Sequence, residues 1–71
     1  MTNTPNWLAY KIKSMREQLR ISQEDLAKAL DVSFATVNRW ENNRTQPSTL
    51  ARKQLEQFIN SQQQQGMLEN D

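Results

Sequence analysis

Between Gln23 and Asn42 the chain reads QEDLAKALDVSFATVNRWEN, and its apolar positions fall into two short helical stripes separated by three residues. Leu26 and Leu30 share a face at a spacing of four. Val37 and Trp40 share one at a spacing of three, and Val32 fills the turn between the two stripes. Small Ala27 stands where a second helix must cross closely. The pattern predicts a helix from Gln23, a three-residue turn and a second helix over Phe34 to Asn42. That second helix keeps Phe34, Ala35, Thr36, Asn38 and Arg39 on its outer side.

Both predicted helices begin with a similar device. Ser22 can cap the first, with Asp25 completing an S-x-x-D box and Ile21 and Leu26 placed as a hydrophobic staple. Ser33 can cap the second between Val32 and Val37, although Thr36 stands where a box would want Glu or Gln.

The flanks add two more helices. Pro5 sits where a missing N–H costs nothing, so a helix can start near Thr4 or Asn6. Leu8, Ile12, Met15 and Leu19 then form one apolar stripe, which Trp7 extends. Lys11, Lys13, Arg16, Glu17 and Arg20 occupy other faces. After Pro47 a last helix begins near Ser48, with Leu55, Phe58 and Ile59 on its buried side and Leu50 and Ala51 supporting its first turn. The expected fold is all-α and compact, four helices over residues 6–60 with a five-helix arrangement as the alternative. From Ser61 the chain becomes a Gln-rich tract followed by MLEND, which buries too little to offset its ordering entropy. Residues 61–71 are therefore expected to be a frayed helix end and a disordered tail, with Met67 and Leu68 mobile.

Composition narrows the chemistry. At 71 residues this is one small domain. With no Cys and no His, disulfides, the usual zinc ligands and the usual general base are all missing. No cofactor, no metal and no enzymatic activity are expected, because nothing supplies a nucleophile–base pair or a phosphate-cradling Gly-rich loop. Lacking both a membrane-length apolar run and a signal-peptide pattern, the chain is expected to be soluble and cytoplasmic. The net charge of +1 conceals an asymmetry: residues 1–60 hold all nine Lys and Arg but six of the eight acids, a net +3. Glu24 and Asp25, which could pass for a catalytic pair, stand at a helix N-terminus where acids are favoured electrostatically.

The chain resembles the helix-turn-helix domains of phage lambda-type repressors, Cro and small bacterial regulators of the Xre type. The resemblance covers about Ile12 to Phe58. It runs through R-E-x-L-x-x-S-Q-E-D-L-A, then V-S-x-x-T-V-x-R-W-E-N, then the N-R-x-x-P-S that opens the next helix. Two positions depart from the family's usual Gly. Asp31 replaces it in the turn and Asn43 at the end of the second helix, and both residue types tolerate a left-handed backbone better than most. Many full-length members have a fifth helix used in dimerisation, and no such pattern is visible here.

The resemblance implies sequence-specific binding of double-stranded DNA to regulate transcription in a bacterium or phage, with a homodimer on a palindromic operator. Phe34, Ala35, Thr36, Asn38 and Arg39 are the candidate base-contacting residues. The Arg39 fork matches guanine O6 and N7, with a phosphate clamp or a solvated Arg as alternatives. Phe34 can touch a thymine methyl or pack against Trp7 and the first helix. Gln23, at the positive end of its helix dipole, is a phosphate candidate. Ser33, Asn42, Asn43, Arg44 and Thr45 join it, with Arg44 the strongest and an ordinary polar turn as the alternative for Asn43. By resemblance, Arg16 and Glu41 form a structural salt bridge, while Trp40 reads as core. Other uses of the same fold are a DNA-targeting module of a larger assembly, as in restriction–modification or toxin–antitoxin systems, and a protein-interaction domain.

Overall fold

Four helices and no strand make up the described part of the computed structural model, residues 5–68 with side chains from Leu8 onward. They are α1 (Pro5–Leu19), α2 (Gln23–Leu30), α3 (Phe34–Glu41) and α4 (Thr49–Gln64). The all-α, four-helix expectation and the three-residue turn, Asp31 to Ser33, are as expected. Helix α3 stops one residue early, at Glu41, with Asn42 as its cap. Thr4 and the side chain of Trp7 lie outside the described residues.

The serines start the helices. Ser22 accepts the Asp25 N–H at 2.9 Å, and Asp25 accepts the Ser22 N–H at 3.1 Å, closing the capping box. Ser33 accepts the Thr36 N–H at 3.1 Å and Ser48 the Ala51 N–H at 3.2 Å.

All four helices end in one way. A residue in the left-handed region follows each: Arg20 (φ 58°), Asp31 (φ 60°), Asn43 (φ 58°) and Gly66 (φ 78°). The next residue then donates its N–H five residues back: Ile21 to Arg16, Val32 to Ala27, Arg44 to Arg39, and Met67 to Gln62. This is the Schellman arrangement, which satisfies carbonyls that a helix end leaves without partners. Asp31 and Asn43 take the backbone that the missing glycines would have taken.

The core is built where the stripes predict. Ile12, Met15, Leu26, Ala27, Leu30, Val37, Trp40, Ala51 and Leu55 are buried in one cluster, with Leu8, Leu19, Ile21, Val32, Phe58 and Ile59 half-buried against it. Helix α3 packs on both α2 and α1, and α4 packs on α2. Burying α3 from two sides leaves its remaining surface as the one it can present to a partner.

Two expectations need correction. Leu50 does not support the start of α4: it is 68% exposed, and Ala51 is the buried residue of that turn. The last helix also runs past its expected end near residue 60. Helix α4 continues to Gln64, Gly66 reverses the chain, and Leu68 is 9% exposed in a groove shared with Leu8, Met15, Leu55 and Ile59. Only Met67 of that pair faces solvent. The apolar side of α1 and α4 supplies the burial that the tract itself lacks.

Candidate nucleic-acid interface

Helix α3 is fixed to its neighbours by a polar relay that begins at Arg16 of α1. The Arg16 guanidinium donates from Nε to Glu41 Oε2 at 2.8 Å and from Nη2 to Glu41 Oε1 at 3.1 Å. Its third arm, Nη1, donates to the carbonyl of Ile21 at 3.0 Å, so one side chain joins α1, the following loop and the end of α3. The pair is well shielded, with side-chain exposure of 17% for Arg16 and 4% for Glu41. Hydrogen bonding to Glu41 raises the Arg16 pKa further above its ordinary value, so the guanidinium stays charged at any working pH.

The carboxylate then sets the direction of every amide beyond it. Glu41 can only accept, so Gln23 presents its Nε2 to Glu41 Oε1 at 3.0 Å. That leaves Gln23 Oε1 to accept from Asn38 Nδ2 at 3.1 Å, and Asn38 Oδ1 to accept from Asn42 Nδ2 at 3.1 Å. Asn42 Nδ2 also reaches the Asn38 carbonyl at 2.9 Å. The three amide side-chain bonds from Asn42 through Asn38 and Gln23 run toward one negative charge, an arrangement in which each polarises the next.

The sequence-predicted residues therefore fall into two groups. Gln23, Asn38, Glu41 and Arg16 are brought together and bonded to one another, and Asn38 and Thr36 are half-buried rather than on the open outer side. The Thr36 hydroxyl shares a 2.8 Å hydrogen bond with that of Ser33. Phe34, Ala35 and Arg39 remain exposed, and Arg39 is the one charged side chain of α3 without a partner among the described residues. Asn42, Asn43, Arg44 and Thr45 form an exposed turn directly after the helix.

Sequence reasoning anticipated the Arg16–Glu41 pair through resemblance but missed the relay. A signal was available: Asn38 lies four residues before Asn42 and three before Glu41, one polar strip down the side of α3 that meets α2.

Two helices joined by a three-residue turn, the second held from behind and open in front, define a helix-turn-helix unit. The helix-turn-helix family model matches residues 12–62, and the chain belongs to that family, in its Cro/C1-type, Xre-like form. It is a family of DNA-binding domains. No curated protein and no solved structure gave a significant match.

Proposed function

We propose that this protein binds double-stranded DNA sequence-specifically and regulates transcription by occupying its site. In this reading α3 enters the major groove. Phe34, Ala35 and Arg39 face base edges from the open side, Thr36 and Asn38 flank them with their polar groups bonded within the protein, and Gln23, Ser33, Asn42, Asn43, Arg44 and Thr45 hold phosphates. Arg16 and Glu41 keep the helix in register. The observation that carries the reading is the contrast between the wired side of α3 and its open side, where Phe34, Ala35 and Arg39 stand exposed together. Arg39 lies four residues after Ala35 on one face, and an unpaired guanidinium matches the two acceptors of guanine. In this reading the phosphate contacts determine orientation.

The protein acts as a non-catalytic, cofactor-independent cytoplasmic regulator. Two copies bind a palindrome whose half-sites are about one helical turn apart, as helix-turn-helix dimers do.

Selection of bound duplexes from a random library, followed by affinity measurements on the selected and scrambled sites across a salt series, tests this. The expected result is enrichment of one motif, with affinity falling linearly in log–log form as salt rises. A protein that retains its fold, enriches no sequence and shows no salt-dependent affinity for any duplex does not have this function.

A further inference from the structure

We propose that Phe34 is a specificity-determining residue that reads the C5-methyl group of a pyrimidine. This inference rests on the DNA-binding reading above and names the chemistry at one end of it.

Phe34 is the first residue of α3 and is 51% exposed. It is not among the half-buried hydrophobic residues packed on the core. Ala35, also exposed, stands next to it, so the leading end of α3 presents two adjacent apolar side chains. The polar groups nearby are committed elsewhere: the Ser33 and Thr36 hydroxyls bond each other, and the Asn38 amide is engaged by Gln23 and Asn42. What this end offers a base edge is apolar area. The apolar feature of a major-groove edge is the methyl group of thymine.

The same chemistry fixes what the residue cannot distinguish. Thymine has an O4 acceptor and cytosine an N4 donor, and 5-methylcytosine carries the thymine methyl beside the cytosine donor. An aromatic ring senses the methyl in both. Phe34 therefore favours 5-methylcytosine over cytosine as it favours thymine over uracil.

The test uses the full chain and a duplex from the selection above. Each thymine is replaced in turn by deoxyuridine, which removes only the methyl group. The wild-type protein should lose about fourfold in affinity at one thymine per half-site, the worth of one methyl-sized apolar group kept from water. Phe34→Ala should bind the thymine and deoxyuridine duplexes equally well. Placing a C·G pair at that position, with and without a 5-methyl group, should give wild type about the same fourfold preference for the methylated form. A flat uracil scan on an enriched site overturns this inference alone. So does methyl sensitivity that persists in Phe34→Ala. If no duplex is enriched at all, the DNA-binding reading falls and takes this inference with it.

Discussion

Phe34 and Trp40 are two aromatic residues of one eight-residue helix, and the fold treats them in opposite ways. Trp40 is 5% exposed inside the cluster formed with Ile12, Leu26 and Val37, while Phe34 is half in solvent at the helix's leading end. Six residues separate the two, which sets them about 120° apart around a helix of 3.6 residues per turn, so Trp40 falls with Val37 on the buried stripe while Phe34 stands off it at the first turn, directly after Ser33. The polar residues follow the same division. Asn38 and Glu41 are held by α1 and α2, whereas Arg39 has no partner among the described residues. One part of α3 fixes position and the other is left available for contact.

The largest effect should come from the buried aromatic. Trp40→Ala should destabilise by ~3–5 kcal/mol, against a total on the order of 5 kcal/mol for so small a domain, so the variant should be largely unfolded. Phe34→Ala should change stability by no more than ~0.5 kcal/mol. Thermal melts of the two variants side by side check the division, and similar losses in both would erase it.

Next in size is the anchor. Arg16→Ala strands the Glu41 carboxylate, which keeps a single bond from Gln23, and should cost ~3–5 kcal/mol by denaturant titration. Glu41→Ala should cost less, because the more exposed Arg16 can recover water. A larger loss for Glu41→Ala would mean that the relay, rather than the stranded charge, dominates.

The smallest effect separates the starts of α2 and α3. Hydrogen bonds from the backbone and side chain of Ser22 pull the Asp25 carboxyl below its ordinary pKa of 3.8. A lowered pKa in the folded state means stability that is present above pH 3.8 and lost as pH falls through the lower, folded value. Asp25→Asn should therefore lose a small increment of stability at neutral pH and flatten the acid limb below pH 4, where its stability converges on that of the wild type. Ser33 and Thr36 carry no ionisable group, so Thr36→Val should leave that limb in place. An unchanged acid limb in Asp25→Asn would show that the capping-box charge contributes nothing.

Much of this arrangement was legible in the sequence because it is local. The i, i+3 and i, i+4 stripes, the serine caps, and Asp and Asn at left-handed positions all depend on neighbours in the chain. What escaped depends on distant partners. Leu68 follows a Gln tract and is buried only because Gly66 turns it onto α1 and α4. Arg20 adopts a left-handed backbone for which Arg carries no signal. Leu50 and Ala51 are neighbours at the start of α4, and composition does not say which faces inward. Gln23 could be read as a surface polar residue until α3 placed Asn38 and Glu41 against it. The candidate bases and phosphates themselves came from the open face and from resemblance together.

The central claim is that Arg39 carries sequence information and Arg44 carries affinity, and one paired measurement tests it. Binding of Arg39→Ala and Arg44→Ala is compared on the selected site and on a scrambled duplex across a salt series. Arg39→Ala should lose ~1–3 kcal/mol on the selected site, relax discrimination at one G·C pair and hardly change binding to the scrambled duplex. Arg44→Ala should weaken both duplexes about equally and lower the log–log salt slope by about one per bound protomer. Equal losses on both duplexes for Arg39→Ala would contradict the account, making that residue a backbone clamp and leaving base reading to Phe34, Ala35 and Thr36.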